Sequence, residues 1–247
     1  MCELGLADQL VGRTGFCIHP KEALKKISKV GGTKSVDLKK IRELAPTHVI
    51  VNVDENKKET ADALVQFVPH VIVTHPLAPL DNLALYRQIG KAFGKEPAAE
   101  LLCDRFNVAF RAVQDKSFAR KKALYLIWKD PWMTVSRDTY ISRTLAAVGW
   151  DTIDIESKDR YPEVRLTPDF LLRADRVLLS TEPYAFLERH LDEIRQMLAA
   201  GANDFVPTPM EESESPVTVS LIDGEMTSWY GSRAIKGMKY LSRLRTG

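Results

Sequence analysis

Residues 37–74, DLKKIRELAPTHVIVNVDENKKETADALVQFVPHVIVT, decide the fold class. Val49 to Val53 and Val71 to Thr74 are short β-branched runs, each entered through a turn marked by a proline, Pro46 and Pro69. Asp37 to Leu44, ahead of the first run, and Lys57 to Phe67, between the two, carry apolar residues at helical spacing. Strands that alternate with helices across connections of about a dozen residues pair in parallel, because only a crossover of that length returns the chain to the same sheet edge. The first part of the chain is therefore expected to be an α/β lobe.

Working outward, the strand pattern stops between Pro79 and Lys122. There Leu102, Phe106, Ala109, Phe110 and Val113 recur at helical spacing behind Gly94, Lys95 and Pro97. A helix from Pro97 to Phe118 would be about 30 Å long at about 1.5 Å per residue, enough to join two lobes rigidly. Alternation then resumes. Strands are expected at Ala123 to Trp128, Thr152 to Ile155, Val177 to Ser180 and Val217 to Ile222, and helices at Thr139 to Val148, Thr167 to Ala174, Ala185 to Ala200 and Ser232 to Leu244. Asp223-Gly224 reads as a turn, and Glu211 to Pro216 as a solvated loop. The sum is two parallel-sheet, Rossmann-like α/β lobes, residues 1–78 and 122–247, joined by one long helix within 79–121, with a cleft between lobes.

Composition excludes several classes. Of 247 residues 45% are hydrophobic and 28% charged, with 13 Gly and 13 Pro, values that fit neither collagen, coiled coil nor wholesale disorder. The 35 Lys and Arg nearly cancel the 33 Asp and Glu, so no cationic surplus remains to neutralise a nucleic-acid backbone, and nucleic acid is not an expected partner. No apolar run approaches the roughly 20 residues that span a bilayer. The start, MCELGLADQLVGRTGFC, has neither a basic n-region nor a long apolar h-region, so no signal peptide is read from it. Cys2, Cys17 and Cys103 are an odd set without CxxC spacing and read as free thiols.

Chemistry concentrates after the strands. In open parallel sheets the carboxyl ends of the strands face the ligand crevice. That rule singles out Asp54, Glu55 and Asn56, then Trp128, Asp130 and Trp132, then Glu182 and Tyr184. Trp and Tyr hold bulky ligands through large rigid faces with one polar edge, which adds Tyr161, Trp229 and Tyr230, with Trp132 and Trp229 favoured by their loop surroundings. Tyr140, on a helix, reads equally well as core. His48 and His70 hold equivalent positions before strands, and His75 and His190 lack a ligand at short spacing. His19, in the Phe16-Cys17-Ile18-His19-Pro20 loop, reads as a polar loop residue, so no metal site is assigned. No GxSxG, HExxH, P-loop or GxGxxG pattern occurs, and Val30-Gly31-Gly32-Thr33-Lys34 reads as a turn at the lip of the cleft. No catalytic residue is assigned.

VGRTGFCIHP (11–20), VGGTKSVDLKKIRELAPTHVIVNVDENKKE (30–59), YLIWKDPWMTVSRDTYI (125–141), DRYPEV (159–164), LLSTEPYAF (178–186) and DGEMTSWYGSR (223–233) together resemble, in order and over nearly the whole chain, the helical-backbone substrate-binding proteins of ABC importers for cobalamin and iron-siderophore complexes. The resemblance implies a receptor without catalysis or cofactor that takes a metal chelate (cobalamin, or an iron-siderophore or haem complex) between its lobes. It also implies delivery to an ABC permease, a monomeric state and a periplasmic or cell-surface location, with a cytoplasmic one left open by the missing signal. Carried over by position, the ligand-facing residues are Phe16, Cys17, His19, Asp54, Glu55, Asn56, Trp128, Asp130, Trp132, Arg137, Tyr161, Glu182, Tyr184, Trp229, Tyr230 and Arg233. Members of the family place a further strand and a Pro-Ser-x-Thr-Glu loop ahead of the segment matching Glu3 to Leu6. The expectation is a first lobe short of one strand, or a start that lies upstream. Two other readings stand beside this one: a chelatase-like enzyme acting on a tetrapyrrole through His19 and Glu182, and a bare-metal receptor using His19.

Overall fold

The structure, a computed structural model, describes residues 1–202 and 217–245. The expected loop at Glu211 to Pro216 lies outside the described residues. The elements in chain order are β1 (Gly12–Arg13), α1 (Lys21–Leu24), β2 (Ser28–Lys29), α2 (Leu38–Leu44), β3 (His48–Asn52), α3 (Lys58–Leu64), β4 (His70–Thr74), α4 (Asp81–Ala92) and α5 (Glu96–Gln114). They continue with β5 (Lys121–Trp128), β6 (Met133–Thr134), α6 (Tyr140–Ala147), β7 (Trp150–Thr152), α7 (Pro168–Leu171), β8 (Arg176–Ser180), α8 (Glu188–Ala202), β9 (Thr218–Ile222), α9 (Gly224–Ser228) and α10 (Arg233–Leu244). The chain divides into two compact units: Met1–Pro76 with Ala84–Leu102, and Leu77–Leu83 with Cys103–Gly247. Among the described residues no helix is long and apolar enough to cross a membrane.

In the first unit β1 pairs in parallel with β2, and β3 with β4, His48 standing opposite His70 and Asn52 opposite Thr74. The two imidazoles at the start of that register stack at 4.5 Å between centroids. Val30, Ile41, Val51, Leu64 and Val68 form the buried core under these strands. Helix α2 starts where Asp37 accepts a hydrogen bond from the Lys40 amide (2.9 Å), and it stops at Ala45, which adopts a left-handed backbone (φ 45°) just before Pro46. Helix α5 runs unbroken for 19 residues along the spacing read from the sequence, and residues 96–102 count with the first unit and 103–114 with the second.

The second unit is built on a five-stranded sheet. Its parallel strands run β7, β5, β8, β9, and β6 lies antiparallel to the far end of β5. Residues 123–126 of β5 are fully shielded, as expected of a strand covered on both faces. Leu124, Leu126, Val177, Leu179, Phe186 and Ile194 lie at the centre of its core.

The expected strand at Thr152 to Ile155 is found earlier, at Trp150–Thr152. Gly149, in a left-handed conformation (φ 78°), ends α6 and feeds the chain straight into the sheet. Ala123 pairs with both Thr152 and Arg176, so β7 and β8 flank β5, and beyond Ile153 the β7 edge is taken by β6. The Asp223-Gly224 turn is instead a helix start, in which Asp223 accepts from the Met226 amide at 3.3 Å and opens α9. The short helix α1 and the strands β1, β2 and β6 have no counterpart in the sequence reading, and α4 lies within residues 79–121, read as a helical segment.

Candidate functional site

Each unit carries a rim of loops at the carboxyl ends of its parallel strands. In the second unit the rim is aromatic. Trp128 ends β5 with 40% of its surface exposed, and the Tyr184 ring meets it edge-on at 5.5 Å. Tyr184 in turn lies 4.6 Å from Phe186, on which Trp132 stacks with ring planes 4° apart. Lys129 sits 5.3 Å over Trp132 and pairs with Glu193 (2.5 Å). The exposed aromatic of this group is thus Trp128, whereas Trp132 is half-buried against the core. Asp130 turns the chain between them in a left-handed backbone (φ 62°) and is exposed.

Glu182, just past β8, accepts hydrogen bonds from Ser228 Oγ (2.9 Å) and Trp229 Nε1 (2.5 Å) on the β9 side. Burial pushes its carboxyl above the ordinary range against the pull of these two donors, and the charges of Glu225 and Asp223 push the same way. Arg233 pairs with Glu225 and lies 5.8 Å over the Trp229 ring. Tyr230 meets Tyr140 edge-on at 6.0 Å. Tyr140 itself is core, its hydroxyl pushed up to about 12 by burial. Below the rim, Tyr125 bonds Ser180 (2.9 Å) and Thr227 (2.5 Å), tying the floor of β5 and β8 to α9. Arg137 stands at the end of β7, donating to Thr152 O (3.2 Å) and facing Asp154 (3.5 Å). Tyr161 lies beside β6 under Arg160, in the segment where Pro162 O accepts from the Thr134 amide.

The rim of the first unit is polar with an apolar tip. Arg13 donates to the carbonyls of Leu24 (3.2 Å) and Cys17 (3.0 Å), which shapes the loop that exposes Phe16 (62%) and Ile18 (43%). Cys17 and His19 are exposed in the same loop. Asn52, buried at the end of β3, accepts from the amides of Asp54 (2.9 Å) and Glu55 (3.3 Å) and donates to Thr74 O (2.9 Å). Asn56 accepts from the Asn52 amide (2.9 Å) and donates to Thr33 O (3.0 Å). Lys34 reaches Asp54 O at 2.6 Å, and His75 stands 3.5 Å from the Asp54 carboxylate. The glycine turn at Gly31-Gly32 is therefore bound to the Asp54-Glu55-Asn56 loop.

Arg13, Lys34, Asn52, His75 and Ser228 belong to these rims and were not singled out as site residues from the sequence. The usable signal was position, since Asn52 and His75 sit at or next to strand ends. Among the described residues no group of three or more His, Cys, Asp or Glu side chains is placed to hold a metal ion.

A sequence profile described as periplasmic binding protein matches residues 1–167. No curated protein matches the sequence. Solved structures of similar fold include the periplasmic vitamin B12 binding protein BtuF of Vibrio cholerae, at 15% identity, TM-score 0.78, over 99% of this chain and 91% of that one. The periplasmic heme-binding protein RhuT of Roseiflexus sp. RS-1 is 18% identical at TM-score 0.76, over 98% and 91%. An ABC transporter substrate-binding protein of Listeria monocytogenes EGD-e is 14% identical at TM-score 0.72, over 98% and 93%.

Proposed function

We propose that this chain, which belongs to the periplasmic binding protein family, is the solute-binding protein of an ABC importer and captures a metal chelate, either cobalamin or an iron-siderophore or haem complex. One observation carries the reading. Trp128, Tyr184 and Trp229 gather at the ends of the neighbouring strands β5, β8 and β9, with Glu182, Glu225 and Arg233 between and beside them. Flat apolar faces ringed by a few fixed charges suit a large, rigid, partly polar ligand, which loses little entropy on binding. The vitamin B12 and heme specificities of BtuF and RhuT support the same ligand class.

The protein binds without converting its ligand, acts as a monomer, and hands its cargo to a permease from the periplasmic or cell-surface side. The test is a tryptophan-fluorescence titration of the full chain with cyanocobalamin, haemin and a ferric siderophore. Saturable one-to-one quenching by one of them, with the chelate recovered unchanged, is the expected result, and no response to any of the three overturns the reading. Insertion of metal into a porphyrin that is lost in His19→Ala would establish the chelatase instead. Zinc or manganese retained through dialysis and lost in the same variant would establish the bare-metal receptor.

A further inference from the structure

The connection that leaves β4 contributes one buried polar residue to the second unit. Residues Leu77–Leu83 count with that unit, and within them Asn82 is fully buried. Its Nδ2 donates to Pro79 O (2.8 Å) and to the Tyr140 hydroxyl (2.9 Å), while its Oδ1 accepts from the Gly231 amide at 2.6 Å. Gly231 holds a left-handed backbone (φ 71°), the bend that carries the chain from Trp229 and Tyr230 into α10. Tyr230 rests its ring on Tyr140, the other partner of Asn82. Among the contacts that hold the loop presenting Trp229 are Glu182 on the indole and Asn82 on the amide two residues further on.

We propose that Asn82 is a positioning residue for the ligand rim: from the connecting segment it fixes the backbone of the Trp229–Gly231 loop, and through it the indole face at the ends of β8 and β9. The proposal rests on reading that rim as the ligand site. The grip is specific in a way that packing is not. An alanine at 82 takes an acceptor from the half-buried Gly231 amide and a donor from the buried Tyr140 hydroxyl, and the loop relieves both losses by opening toward water. An aspartate keeps the acceptor that Gly231 needs. Phenylalanine at 140 removes a partner of Asn82 and leaves the Gly231 bond in place.

The experiment compares the full-length wild type with Asn82→Ala, Asn82→Asp and Tyr140→Phe by three readouts. These are the exchange rate of the Gly231 amide, the NMR resonance of the Trp229 indole N–H, and titration with cyanocobalamin, haemin and a ferric siderophore. In Asn82→Ala the Gly231 amide should exchange at least about tenfold faster, the indole resonance should shift, and affinity for the responding chelate should fall about tenfold. Asn82→Asp should restore Gly231 protection and most of the affinity, and Tyr140→Phe should lower thermal stability with the Gly231 amide and Trp229 indole as in wild type. Unchanged Gly231 exchange and indole resonance in Asn82→Ala, or a Tyr140→Phe that matches it in all three readouts, overturns the proposal. A wild type that binds none of the chelates overturns the ligand reading instead, while exchange and resonance still decide whether Asn82 holds the loop. Should Asn82→Ala fail to fold, Asn82→Asp against Tyr140→Phe makes the same comparison.

Discussion

Gly224→Ala sets two known effects against each other at the centre of the rim. Gly224 is buried at the first position of α9, where its amide donates to Thr181 Oγ1 (3.0 Å). A methyl group there would stand 2.4 Å from Glu182 Cγ, 2.5 Å from Ser180 Oγ and 2.9 Å from the Glu182 backbone nitrogen. Alanine in place of glycine favours a helix by up to about 1 kcal/mol, and less at its first turn. Against that, forcing a methyl into filled space costs about 1–3 kcal/mol, at the upper end where the neighbours are fixed. Here they are fixed, since Ser180 Oγ accepts from Tyr125 and donates to Glu182 O (2.6 Å). Strain wins, leaving a net loss of about 1–2 kcal/mol, or a fall in Tm of roughly 2–8 °C for a chain of this size. The displaced carboxylate also releases Ser228 and Trp229, so the Trp229 indole resonance should move and chelate affinity should drop. Thermal unfolding followed by circular dichroism, together with the indole spectrum, checks both parts. A Tm at or above wild type with an unmoved Trp229 resonance would show that helix propensity prevails and that the close approach around Gly224 is not needed.

Three further outcomes are expected. Burial, the largest influence on Glu182, raises its carboxyl in the folded state, so its contribution to stability is full below the ordinary carboxylate range and is lost as pH rises through the folded pKa. Glu182→Gln cannot ionise, and its stability relative to wild type should therefore grow in urea unfolding as pH rises above the ordinary carboxylate range; parallel curves would contradict this. Asn52→Ala strips the acceptor from the Asp54 and Glu55 amides and should cost about 1–3 kcal/mol, with faster exchange confined to residues 53–56. Asp37→Ala removes the cap of α2 and should cost about 1 kcal/mol in urea unfolding, with no change in the Trp229 indole resonance.

The legible parts of the fold are those where one strand or helix carries its own signal. Leu124 to Ile127 form an apolar run because both faces of β5 are covered, whereas β3 and β4 are only partly buried and are marked by their β-branched residues behind Pro46 and Pro69. Strands β1 and β2 carry no such signal: two residues each, Gly12–Arg13 and Ser28–Lys29, held partly by the Val30 amide on Arg13 O. The displacement of β7 was hidden for a different reason. Its end is set by β6 occupying the next stretch of β5, a non-local event that periodicity does not encode. At the rims, the strand-end rule located Glu182, Tyr184 and the Asp54-Glu55-Asn56 loop, yet residue type did not reveal role. Asn56 has both ends of its amide committed to backbone, a fact that depends on the turn at Thr33 some twenty residues earlier.

Both rims separate the groups that hold from the groups that present, and burial draws the line. Asn52, Asn82 and the half-buried Glu182 spend their hydrogen bonds on the protein, which matters because an unpartnered polar group shielded from water is costly and a partnered one fixes a loop in a single place. Phe16, Ile18 and Trp128 keep apolar surface in solvent, Phe16 and Ile18 on the loop after β1 and Trp128 at the end of β5. A loop of free backbone would lose ordering entropy each time a ligand arrived, whereas one already fixed by buried amides and carboxylates loses little. If the rims bind the proposed ligand, the polar residues beneath them would act on affinity through the freedom they remove beforehand, and the aromatic residues through the surface they cover. The two classes look alike in a list of candidate site residues, and only their partners in the folded chain tell them apart.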